Sequence, residues 1–144
     1  MIRFDRSQQR LAAGISALAG FVDAIGFVAS QGGAEAVDQL FAARRLQLSK
    51  QLAPRLTGRD RAGQVAELAA ILTEQGYMCE YRQEPDGSFV LAEHNCPVDC
   101  VARDYPQACE HELKLYEDLL GVPLVREELI AEGGNCCRYR IGAE

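Results

Sequence analysis

The spacing of apolar residues changes character just past the middle of the chain, and that change restricts the fold more than any other feature. In AEAVDQLFAARRLQLSKQLAPRL, Val37, Leu40, Phe41, Arg44, Leu48 and Leu52 recur at helical intervals, and Pro54 marks an end or a kink. A second helix is expected from near Asp60 through VAELAAILTEQ, stopped at Gly76. Beyond Gly76 the pattern shortens. Tyr77 to Arg82 and Ser88 to Ala92 read as two strands around the turn EPDG, whose Pro85, Asp86 and Gly87 supply turn chemistry. A third helix follows in QACEHELKLYEDLLG, with Cys109, Leu113, Tyr116 and Leu120 on one stripe and Gly121 at its end. Val122 to Ile130 and Asn135 to Ile141 then form a hairpin joined by AEGG. The expected fold is α+β, amino-terminal helices followed by a ββαββ unit with an antiparallel sheet.

The amino-terminal segment follows a different rule. From Leu11 to Ala29 an apolar run is broken only by Ser16, Asp23 and glycines. About 20 apolar residues cross a bilayer, so the run has the length of a span, but Asp23 in its middle makes a lone span costly. The reading adopted is a soluble helix packed on the chain or on a second copy, with membrane contact through residues 11–29 as the alternative. Residues 1–32 are thus expected to form an apolar amino-terminal helix and residues 33–144 the main domain.

A chain of 144 residues buries a core without disulfides. Its net charge of −6 argues against a free-standing nucleic-acid binder, which needs a basic face. All six cysteines, Cys79, Cys96, Cys100, Cys109, Cys136 and Cys137, lie in the second half. No cleavable secretory signal is apparent, so the expected setting is the reducing cytoplasm, where clustered thiols bind metals or stay reduced.

Cys96 falls in a loop, Cys109 on the apolar stripe of the third helix, and Cys136 and Cys137 in the last strand, so folding can bring three elements together. CxxC pairs are absent, which weakens a zinc ribbon; widely spaced thiols suit an iron–sulfur cluster held by a folded domain. Neighbouring strand residues face opposite ways, which places Cys137 inward with Tyr139 and Ile141, and Cys136 nearer solvent. Cys79 reads as a packing residue, His94 as a loop histidine bonded to backbone, and His111 as exposed. Cys100 follows Cys96 by four positions and shares its face if that segment makes a helical turn. On the residues alone, ligation and plain core packing both remain open, because cysteine is among the most buried residue types.

The stretch GYMCEYRQEPDGSFVLAEHNCPVDCVARDYPQACEHELKLYEDLLGVPLVREELIAEGGNCCRYRI resembles the carboxyl-terminal sensor domain of SufR-like bacterial regulators, also grouped as ArsR or DeoR type, over residues 33–142. The likeness is specific in HNCP, in YPQACEHELKLYEDLLG and in CCRYRI. It implies an iron–sulfur cluster, a 4Fe–4S centre among the forms expected, bound by Cys96, Cys109 and Cys137. It also implies a dimer that regulates transcription through a winged helix-turn-helix. The fourth ligand stays open among Cys100, His94, Cys136 and a small molecule. The expected function is therefore a cluster-binding sensor domain, a homodimer that touches DNA only through a missing or separate winged-helix module. A zinc-stabilised interaction domain is the alternative. The opening residues, with LAGFVDAIGF at Leu18 to Phe27, resemble the start of YoaK-type membrane proteins, a likeness limited to residues 1–28 and read as a fusion remnant. No nucleophile elbow, phosphate-binding glycine loop or metalloprotease motif occurs, and catalysis is not expected.

Overall fold

The computed structural model describes residues 6–97 and 99–144, with side chains described from residue 20 onward except at 98–100. The chain divides into two compact units between Gln39 and Leu40. The first helix, α1 (Arg6–Leu56), is interrupted at Gly33, whose φ of 68° and ψ of −160° leave the helical range. Glycine reaches that positive φ without a Cβ clash, so Gly33 is where the helix breaks. In the first unit Ile25 and Val37 are buried, whereas Phe27 is exposed. Among the described residues no helix is long and apolar enough to cross a membrane. The side chains of residues 11–19, part of the apolar run, lie outside the described ones.

The second unit carries the sheet. Pro54 does not end α1, which continues to Leu56; Leu48 and Leu52 pack against a core that includes Leu56. Arg55 then ties α1 to α2 (Arg61–Glu74), donating to Glu67 Oε1 at 2.8 Å and to both oxygens of Glu74 at 2.7 and 2.9 Å. Asp60 caps α2 by accepting from the Gly63 N–H at 2.8 Å, satisfying one of the donors a helix start leaves without an internal partner. Val65, Leu68, Ala69, Ile71 and Leu72 form the buried face of α2.

Four strands follow: β1 (Cys79–Gln83), β2 (Phe89–Glu93), β3 (Leu124–Glu128) and β4 (Cys137–Ile141), in the order β1-β2-β4-β3 and all antiparallel. Between β2 and β3 lie the short α3 (Asp99–Ala102) and α4 (Gln107–Leu120), and a 3₁₀ turn, Ile130–Glu132, precedes β4. The EPDG turn closes as its chemistry requires: Asp86 Oδ1 accepts from the Ser88 N–H and Oγ, and Gly87 takes a φ of 86°. Gly121 ends α4 with a φ of 70°. The expected α+β order of helices followed by a ββαββ unit is present.

Central β2 is buried at all five positions. Phe89 and Leu91 share a face with Tyr139, Ile141 and Leu124, and helices α2 and α4 cover the core there. On the other face Val90 and Ala92 pair with Arg82, Arg140, Glu80 and Arg138, long side chains whose stems can cover apolar neighbours. Tyr116 of α4 meets Tyr139 of β4 edge to face, with centroids 5.4 Å apart and planes at 83°. Such a pair adds about 1 kcal/mol beyond the area it buries.

Two expectations are corrected here. His111, expected exposed, is buried, because α4 hides a second stripe through His111, Leu115 and Leu119 besides the one through Cys109, Tyr116 and Leu120. Cys136, expected nearer solvent, is also enclosed, on the side of Arg138, where its Sγ donates to Glu128 Oε2 at 3.1 Å.

Candidate functional site

The chemistry-bearing residues gather at one end of the sheet. Register pairs Cys79 with Glu93 and Glu93 with Cys137, so a thiol, a carboxyl and a second thiol form one row across β1, β2 and β4. Residues paired in this way project to the same face, here the face of Leu91 and Tyr139. α4 starts at this end, and its first turn supplies Cys109. Arg126 of β3 fastens that turn, donating to the Cys109 carbonyl at 2.6 Å and to Glu110 at 3.2 Å while its guanidinium lies 5.8 Å from the Tyr139 ring.

The loop after β2 carries His94, Asn95, Cys96 and Pro97. Asn95 anchors it: its Nδ2 donates to the Gly76 carbonyl at 2.9 Å and its Oδ1 accepts from the Met78 N–H. Gly76 has a φ of 99°, and a Cβ there would stand 3.7 Å from Pro97 Cγ, so the α2–β1 turn and this loop lie against each other. Cys96 is thereby held half-buried near Tyr77, close enough for a negative charge on its sulfur to raise the Tyr77 pKa. His94 turns outward, its Nε2 2.7 Å from Glu80 Oε1 and its N–H donated to the Met78 carbonyl.

Behind the thiols lies a buried network of tyrosines and carboxyls. Glu93 is wholly buried, with Oε1 accepting from the Tyr116 hydroxyl at 2.8 Å. Its Oε2 is enclosed and has no hydrogen-bond partner. Glu112 accepts from Tyr77 at 2.6 Å and from Tyr139 at 3.1 Å. Burial, reinforced by the Glu112 charge, pushes the Glu93 carboxyl well above the usual carboxylate range, and the bond from Tyr116 only partly offsets it. The same two influences raise the phenols of Tyr77, Tyr116 and Tyr139.

The thiols respond alike. Burial pushes Cys79 and Cys137 up to about 12 and Cys109 up to about 11. For Cys137 the Ile130 N–H, donated to Sγ at 3.4 Å, favours the thiolate but loses to burial. Cys109 and Cys137 are near enough that a charge on one raises the pKa of the other. Cys79, Cys96, Cys109, Cys136 and Cys137 all carry reduced thiols.

Of the expected ligands, Cys109 and Cys137 therefore come together, and Cys96 lies on the anchored loop at the same end of the sheet. Among the described residues, no group of three or more His, Cys, Asp or Glu side chains is gathered closely enough to hold a metal ion. The Cys100 side chain lies outside the described residues. Sequence reasoning passed over Glu93, Glu112 and the part Cys79 takes in the row. Their signal was available: Glu93 continues the inward alternation of Phe89 and Leu91, and Glu112 stands three and four positions from Cys109 and Tyr116. Compared with protein-family models, curated proteins and solved structures, the chain matches none.

Proposed function

We propose that the chain is a cytoplasmic iron–sulfur sensor domain of a transcriptional regulator, with Cys96, Cys109 and Cys137 as thiolate ligands. One observation carries the reading: a loop, a helix start and a strand start each place a cysteine at the same end of the sheet, two of them within electrostatic reach. Further support comes from the Ile130 N–H on Cys137 Sγ, the kind of outer contact that steadies a metal-bound sulfur. When bound, the cluster supplies a redox-responsive link between these elements. The chain's own part is to give up the thiol protons, which burial holds in place, and to bring the Cys96 loop to the Cys109–Cys137 pair. Binding and local rearrangement are then coupled, as a sensor requires. The domain acts as a homodimer and reaches DNA through a separate winged-helix module, in keeping with its net charge of −6.

The test is purification and reconstitution without oxygen, followed by an absorbance spectrum and iron, sulfide and zinc analysis. A brown protein with iron and sulfide, lost in Cys96→Ser, Cys109→Ser or Cys137→Ser, supports the reading. A colourless protein holding zinc moves the site to a structural role, and one that takes up no metal leaves the thiols as core residues.

A further inference from the structure

The sheet ends on two edges of opposite design. β3 is blunted: Arg126, Glu127 and Glu128 follow one another there, and the register with β4 slips between Arg126 and Glu128. Edge strands are commonly protected in this way, by charge and by bulges that spoil further pairing. β1 has no bulge and no proline. It pairs with β2 in unbroken register from Cys79 to Gln83 and is exposed at four of its five positions, Tyr81 to 47 %.

The register fixes which backbone groups of β1 look outward. The His94 N–H donates to the Met78 carbonyl at 2.9 Å, and the Glu84 N–H donates to the Ser88 carbonyl at 2.8 Å, which extends the β1–β2 ladder by one residue at each end. Hydrogen-bonded pairs alternate along an antiparallel ladder, so Glu80 and Arg82, between Met78 and Glu84, also turn their N–H and C=O groups to β2. Cys79, Tyr81 and Gln83 turn theirs to the open edge, where among the described residues no backbone group reaches them.

We propose that β1 pairs antiparallel with β1 of a second copy of the chain, about a two-fold axis at Tyr81. Tyr81 then faces the partner's Tyr81 and Cys79 faces the partner's Gln83, each pair exchanging both backbone hydrogen bonds. Between them Glu80 falls opposite the partner's Arg82, and Arg82 opposite the partner's Glu80, in the positions where cross-strand side chains come closest. Charge selects both the occupant and the register. Centring the pair on Glu80 or on Arg82 would set like charges opposite each other, whereas the axis at Tyr81 makes the strand complementary to itself. Glu80 now meets His94 and Arg82 meets Glu84, exposed ion pairs that hold little energy and can re-form across the axis. The result joins two four-stranded sheets into one. This gives the homodimer of the proposed function its surface and rests on that part of the reading alone; no metal is needed for it.

The test is sedimentation velocity of the reduced full-length chain over a range of concentrations. Wild type is expected to sediment as a dimer. Tyr81→Pro removes an outward N–H that no internal ladder bond uses, so it is expected to fold and to sediment as a monomer. Glu80→Arg or Arg82→Glu alone is expected to weaken association about tenfold, through two symmetry-related pairs at once. The two changes together restore it, because the exchanged charges meet again across the axis. A dimer that survives Tyr81→Pro and ignores the charge changes overturns this surface and leaves the homodimer reading intact; wild-type protein that stays monomeric overturns both. Circular dichroism identifies a proline variant that does not fold. The charge exchange then decides alone, and a double variant that associates no better than the single ones overturns the pairing.

Discussion

Tyr116→Phe removes one oxygen atom and isolates the energetics of the buried network. The lost hydroxyl donates to Glu93 Oε1 at 2.8 Å, and Oε2 already has no partner, so the variant leaves a fully buried carboxyl with neither oxygen satisfied. The ring itself stays, keeping its edge-to-face contact with Tyr139. Stranding one partner of a buried hydrogen bond costs about 1–3 kcal/mol. Taking about 2 kcal/mol for a site this enclosed, the Tm of the metal-free protein falls by roughly 6–8 °C for a chain of this size. The account makes a sharper demand of the double variant Glu93→Leu with Tyr116→Phe. Replacing both partners by apolar groups removes the stranded carboxyl, so stability returns to within about 1 kcal/mol of wild type or rises above it. Urea unfolding of the four proteins of this cycle, metal-free and reduced, provides the measurement. A Tyr116→Phe loss under about 0.5 kcal/mol, or a double variant as unstable as the sum of its parts, would refute the claim that Glu93 depends on Tyr116.

Four further outcomes follow from other contacts in the structure. In metal-free protein at pH 8, iodoacetamide should modify Cys109 and Cys137 at least about 100-fold more slowly than in denatured chain, since burial raises both pKa values and only the thiolate reacts; equal rates would contradict their placement. Because those pKa values are raised from 9.0, the stability tied to the neutral thiols is present below about 9 and drains away as pH climbs toward 11 and 12. The hydrogen bonds from Arg55 hold the Glu74 carboxyl below its ordinary value of 4.5, so their contribution is present above that value and is lost as pH falls through the depressed one. Acid titrations of wild-type and Arg55→Met protein should therefore converge at low pH, and curves that stay parallel would contradict the pairing. Asn95→Ala frees the HNCP loop from Gly76 and Met78, costs about 1–2 kcal/mol, and speeds Cys96 alkylation in metal-free protein; an unchanged Cys96 rate would show that Asn95 does not hold the loop.

Much of the fold was legible because its signals are local. Asp60 caps α2, Asp86 and Gly87 close the β1–β2 turn, and Gly121 ends α4 at a positive φ, all written in short stretches of sequence. The site was legible in part. Positions for Cys96, Cys109 and Cys137 on a loop, a helix and a strand follow from pattern, but their separations depend on sheet order, which no local signal carries. Glu93 and Glu112 escaped because a search for apolar periodicity passes over a carboxyl on an inward position. Only the tertiary placement of Tyr77, Tyr116 and Tyr139 makes those carboxyls tolerable there. His111 was misplaced for a related reason: one stripe was assigned to α4, and α3 packs against the helix as well.

X-ray absorption at the iron and zinc edges of protein purified without oxygen tests the central claim most directly, because it reports the metal and its neighbours together. The account predicts iron with a sulfur shell and a nearby iron scatterer, both lost when Cys109 or Cys137 becomes serine. A zinc edge with nitrogen and sulfur neighbours and no iron would contradict it, as would protein without either metal.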